Sequence, residues 1–64
     1  MIYEYKILNI PDLDVIDGNI KTLIINNQLN YLFWEENSKI LKIVFINELD
    51  LNDKIILDQI INNY

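Results

Sequence analysis

The sequence predicts an α+β fold, a small antiparallel sheet of three to four strands with one C-terminal helix packed on one face. Three observations carry that prediction. Tyr3, Tyr5 and Ile7 alternate with Glu4 and Lys6, as a strand with one buried face requires. Residues Leu29 to Trp34 and Ile40 to Ile46 are apolar on both faces, with only Asn30 and Lys42 as polar breaks. From Asp50 onward the apolar spacing turns helical. A βαββα arrangement is the alternative, and it differs in how residues 13 to 26 are read.

The first strand spans Ile2 to Ile10 and ends at Pro11, which cannot donate to a ladder. Asp12, Asp14 and Asp17 then lie in a loop, and Asp17-Gly18 is a turn signal leading into a strand over Ile20 to Ile25. A helix through Ile16, Ile20, Leu23 and Ile24 is also periodic. Gly18 inside it and the β-branched Ile and Thr residues weigh against that helix, so the strand is favoured.

Asn26-Asn27 suits a two-residue hairpin turn, because Asn tolerates positive φ, and Glu36-Asn37-Ser38 suits a three-residue one. Together these turns set Glu35 opposite Lys39, Phe33 opposite Leu41, Tyr31 opposite Ile43 and Leu29 opposite Phe45. Ile20, Thr22 and Ile24 extend the same, almost wholly apolar face. The opposite face is mixed: Lys21, Leu23 and Ile25, then Gln28, Asn30, Leu32 and Trp34, then Ile40, Lys42, Val44 and Ile46. Within it Leu23, Leu32, Trp34, Ile40 and Val44 are the candidate interface residues, with Leu32 between Lys21 and Lys42. A solvated antiparallel sheet would alternate apolar with polar, so this second face calls for a cover that one helix cannot supply.

The helix starts at Asp50 as N-cap, with Asp53 three residues on as a shortened capping-box acid near the positive end of the dipole. Ile56, Leu57, Ile60, Ile61 and Tyr64 fall on one arc of about 140° that should pack on the apolar face. Leu51 and Ile55 lie off that arc and read as singly exposed residues.

Composition bounds the rest. At 64 residues there is room for one domain, 1–64, and such a chain buries only about 60% of its unfolded surface. Folds at that margin lean on disulfides, a metal or oligomerisation. Cys and His are both absent, so oligomerisation is the route expected. The apolar share of 52% contains no Ala, so every apolar side chain is a large one. A net charge of −5, with no Arg and five Lys, argues against neutralising a phosphate backbone, and no nucleic acid is expected as partner. No run of about 18 apolar residues suggests a membrane span, and Met1 to Lys6 does not open a signal peptide. Heavy use of Ile and Asn fits an AT-rich genome, and the Ile-Ile-Asn-Asn at 24–27 and again at 60–63 is read as that bias, not as a repeat.

No residue constellation specifies a chemistry. Asp12, Asp14 and Asp17 resemble a calcium loop, but the third acid is displaced by one and Leu23 stands where a bidentate Glu belongs. Glu35 and Glu36 are adjacent and, in a strand, point to opposite faces. Ser38 and Thr22 have no His or Cys to activate them. Trp34 and the four Tyr lack basic neighbours for base stacking and read as core or interface aromatics. No catalytic, cofactor or metal residues are assigned, and no small-molecule substrate or membrane partner is expected.

The segment Phe45-x3-Leu49-Asp50-x2-Asp53-Lys54-x2-Leu57-Asp58-x-Ile60-Ile61-x2-Tyr64 resembles a C-terminal pattern of small phage-encoded proteins. That pattern is a strand ending in Phe, a Leu-Ser/Thr helix start, Glu-Lys, then Leu-Asp-x-Ile-Val and a terminal His. Here Asp50 replaces the hydroxyl cap, Asp53 the Glu and Tyr64 the His, and the match covers the last third of the chain. The resemblance implies a small non-enzymatic phage protein, a virion component, found in the virion or the host cytoplasm. The expected function is therefore a structural or interaction protein acting through homo-oligomerisation or contacts with other virion proteins. The alternative is an acidic inhibitor that blocks a host or immunity nucleic-acid enzyme, motivated by the −5 charge.

Overall fold

The computed structural model describes residues 1–64. The elements run β1 (Ile2–Lys6), α1 (Leu13–Leu23), β2 (Leu29–Glu35), β3 (Ile40–Phe45) and α2 (Leu51–Asn62). The strands form one sheet in the order β1-β3-β2, with β3 antiparallel to both neighbours. The two flanking strands are therefore parallel to each other across β3, and α1 is the crossover of this split β-α-β unit. Both helices supply side chains to one core: Ile16, Ile20 and Ile24 from α1 and its end, Leu57 and Ile60 from α2, against Leu41, Ile43 and Phe45 of β3. They cover one face of the sheet. This is the βαββα arrangement, and it corrects the expectation of a single helix.

No strand forms over Ile20 to Ile25: α1 takes the segment as far as Leu23, with Ile24 as its C-cap. Asp12 caps the helix start, its carboxylate accepting from the Val15 N–H at 3.2 Å, and Asp17 pairs with Lys21 one turn on at 3.0 Å. The acids read as a turn thus build a helix start and an i,i+4 pair. Ile16 and Ile20 have no exposed surface and Ile24 only 2%. Burying each stabilises by about 1.5–3 kcal/mol. Gly18 costs about 1 kcal/mol and each β-branched residue a few tenths, so burial outweighs local preference.

The expected register of β2 against β3 holds only at Leu29↔Phe45. Beyond it the pairs are Tyr31↔Val44, Leu32↔Ile43, Phe33↔Lys42, Trp34↔Leu41 and Glu35↔Ile40. Two local features cause the shift. The hairpin turn takes four residues, Glu36 to Lys39, with Lys39 in the left-handed region at φ 60° and its N–H donating to the Glu35 carbonyl at 2.8 Å. At the other end an irregularity between Leu29 and Tyr31 leaves Asn30 as an extra residue, a β-bulge. A one-residue slip exchanges the two faces. Leu32 and Trp34 consequently pack against the core, and the Trp34 indole N–H donates to the Ile7 carbonyl at 3.1 Å. Asn26 and Asn27 form no hairpin turn but lie in the connection from α1 to β2.

The start of α2 is as expected at Asp50, whose carboxylate accepts from the Asp53 N–H at 2.8 Å. The Asp53 carboxylate does not close a capping box. It is 5% exposed and accepts from the Asn27 side-chain amide at 2.6 Å, tying the α1–β2 connection to the helix start. Leu57 and Ile60 are buried, Ile56 and Ile61 half-buried, and the Tyr64 hydroxyl accepts from the Asp12 N–H. Leu51 and Ile55 are exposed.

Candidate functional site: the open face of the sheet

With α1 and α2 both on one side, the other face of the sheet has no element over it. Strand alternation aims Ile2, Glu4 and Lys6 of β1, Tyr31, Phe33 and Glu35 of β2, and Ile40, Lys42 and Val44 of β3 toward this face. Pairing arranges them in three rows: Ile2, Val44 and Tyr31, then Glu4, Lys42 and Phe33, then Lys6, Ile40 and Glu35. The first row is wholly apolar, and Ile46 follows Val44 beyond it. Ile2 is 57% exposed, Tyr31 51%, Phe33 40% and Ile46 54%, whereas Val44 between its two neighbours keeps only 9%. Large apolar side chains gathered on one open face are the mark of a contact surface.

The aromatic and charged groups hold one another in place. Tyr31 and Phe33 lie stacked, with centroids 5.9 Å apart and planes 22° from parallel. The Lys42 ammonium is 5.8 Å from the Phe33 ring and within 3.9 Å and 3.8 Å of the Glu4 and Glu35 carboxylates. Such long, exposed ion pairs add well under 1 kcal/mol each. Their consequence is electrostatic balance, because Glu4 and Glu35 offset Lys6 and Lys42.

Of the five residues expected at an interface, Ile40 and Val44 lie on this face. Leu32 and Trp34 do not, since the register turns them into the core. Leu23 is on α1, half-exposed in a groove of about 390 Å³ between the two helices with Val15, Ile56 and Tyr64. Ile2, Tyr31 and Phe33 were missed by sequence reasoning. Their signal was Lys42, which has to face solvent and thereby aims Val44, Ile40 and whatever pairs with them outward. The bulge at Asn30 concealed which β2 residues those were.

A second polar constellation joins β1 to α2. The Tyr5 hydroxyl donates to Asp58 at 2.7 Å, the Lys54 ammonium donates to the same oxygen at 2.6 Å, and that ammonium lies 5.6 Å from the Tyr5 ring. The hydrogen bond from Lys54, then that from Tyr5, holds the Asp58 carboxyl below its ordinary range. Burial, then the bond to Asp58, pushes the Tyr5 hydroxyl well above the usual tyrosine value. Both shifts favour the protonated Tyr5 and the ionised Asp58 that the hydrogen bond requires. The constellation is a latch across the layers. A further open groove, of about 550 Å³, runs beside the end of α1 and is lined by Ile20, Lys21, Ile24 and the 25–29 segment. No helix is long and apolar enough to cross a membrane.

No family model matches this chain, and neither a curated protein nor a solved structure matches it.

Proposed function

We propose that this chain is a small non-enzymatic structural or interaction protein of the phage type its C-terminal segment resembles. It works by burying the open sheet face in a homo-oligomer or in a larger assembly with other virion proteins. The observation that carries this reading is the uncovered first row, where Ile2 and Tyr31 stay half-exposed around Val44 while Phe33 and Ile46 extend the patch. The composition supports it too, since a domain without Cys or His has no disulfide and no Cys/His metal site to add to its core.

Light scattering coupled to size exclusion tests the reading. The wild type should exceed its 7.7 kDa chain mass in the micromolar range. Phe33→Glu should return it to one chain with an unchanged circular dichroism spectrum, because a carboxylate is costly in an interface and harmless on an open face. A wild type of one-chain mass at every concentration refutes self-assembly.

The distribution of charge favours a second reading, the acidic inhibitor. Glu4, Lys6, Glu35 and Lys42 cancel on the open face, so the other eight acids and three lysines carry the whole −5. A basic nucleic-acid enzyme would meet that acidic remainder, and a stable complex with a basic nuclease, lost at high salt, supports this use.

A further inference from the structure

We infer that the open face docks on a second copy of itself, with the two-fold axis of the dimer lying along β3. The inference rests on the proposal that this face is the assembly surface. Charge selects the partner. The face carries two carboxylates and two ammonium groups, so two copies meet without net repulsion although each chain as a whole is at −5. A basic partner is drawn elsewhere, to the side that holds the excess acid. Area sets the scale: a stable interface takes about 800 Å² from each partner, roughly a fifth of the 4322 Å² that this chain exposes.

The order of the rows fixes the axis. Face-to-face sheets pack about 10 Å apart with strands nearly aligned, so an isologous pair has its two-fold axis either along the strands or across them. An axis across the strands lays the Ile2–Val44–Tyr31 row on the partner's Lys6, Ile40 and Glu35 and sets Glu4 against the partner's Glu4, so it brings no opposite charges together. An axis along β3 keeps like rows together. Ile2 then meets the partner's Tyr31, Val44 the partner's Val44, and Ile40 the partner's Ile40. In the third row Lys6 meets the partner's Glu35, and two-fold symmetry forms that pair twice. In the second row the same axis sets Glu4 against the partner's Phe33, twice, and opposes the two Lys42 ammoniums at the centre. Each remains between its own Glu4 and Glu35, at 3.9 Å and 3.8 Å, which offsets their repulsion.

A charge exchange at the third row tests this arrangement by sedimentation equilibrium. Lys6→Glu and Glu35→Lys should each weaken the dimer roughly tenfold, because each turns two attractive pairs into repulsive ones. Both substitutions together should bind more tightly than either alone, and circular dichroism should show all three variants folded. If the wild type dimerises and Phe33→Glu abolishes it, but neither single exchange matters or the double is weaker than both singles, the axis is wrong while the assembly face stands. A limiting mass above two chains likewise overturns the closed dimer alone. A wild type that never associates, or one whose association Phe33→Glu leaves intact, overturns both.

Discussion

Tyr5 and Asp58, 53 residues apart in the chain, are joined by a 2.7 Å hydrogen bond that spans β1 and α2 and shares its acceptor with Lys54. The pair gives stability two pH limits. Asp58 has a folded pKa below its unfolded one, so its contribution is present above the ordinary carboxylate value and lost as pH falls below about 4. Tyr5 has a folded pKa above its unfolded one, so its contribution is complete below about pH 10 and declines as pH rises beyond that. Tyr5→Phe should lower stability by about 1 kcal/mol at neutral pH, a charged hydrogen bond discounted for partial exposure. It should also shrink the alkaline loss relative to wild type. Melting curves from pH 3 to 11 measure both, and a parallel alkaline decline in the two proteins would show that the latch is not formed.

Leu32 and Phe33, adjacent in β2, should fail in opposite ways. Leu32→Asp puts a carboxylate against the core at a cost of several kcal/mol. A domain of this size has roughly 3–10 kcal/mol in all, so that variant should be largely unfolded by circular dichroism. Phe33→Asp sits on the open face, is expected to cost under about 1 kcal/mol, and should stay folded. The reverse outcome would restore the simpler hairpin register without the bulge.

That pair marks where the fold ceases to be legible in the sequence. β1, which ends at Lys6 and not at the expected Ile10, β3 and the start of α2 follow from local rules: Glu4, Lys6 and Lys42 need solvent, and Asp50 precedes an apolar stripe. α1 does not, because Gly18 and the β-branched residues lower its local preference, and the deciding burial of Ile16, Ile20 and Ile24 comes from elements distant in sequence. β2 is hidden for another reason. Its phase depends on an extra residue at Asn30 and a left-handed Lys39, and no glycine announces either. The candidate site inherits this division. Ile40 and Val44 share a strand with Lys42 and could be read, whereas Tyr31 and Phe33 required the register.

Gly18 lies in α1 on its exposed side, and a methyl group built on it would meet nothing within 4 Å. Gly18→Ala should therefore stabilise the chain by about 1 kcal/mol through reduced freedom of the unfolded chain and better helix propensity. The melting midpoint should rise by roughly 4–8 °C. A lowered midpoint would contradict a helix over residues 13–23.

The buried carboxylate at the start of α2 gives the last test. Asp53 is 5% exposed and takes its side-chain hydrogen bond from Asn27, while its own N–H is capped by Asp50. Asp50→Ala should cost about 1 kcal/mol, the ordinary loss of a cap. Asn27→Ala should cost more, about 1–3 kcal/mol, because it leaves a desolvated carboxylate without its donor. Replacing both partners, Asn27→Ala with Asp53→Ala, should cost less than Asn27→Ala alone, since no charge is then stranded. Urea unfolding with a constant slope measures all three differences and that of Asp53→Ala alone. If the double substitution costs as much as its two parts added together, Asn27 and Asp53 do not act on each other, and something else ties the α1–β2 connection to α2.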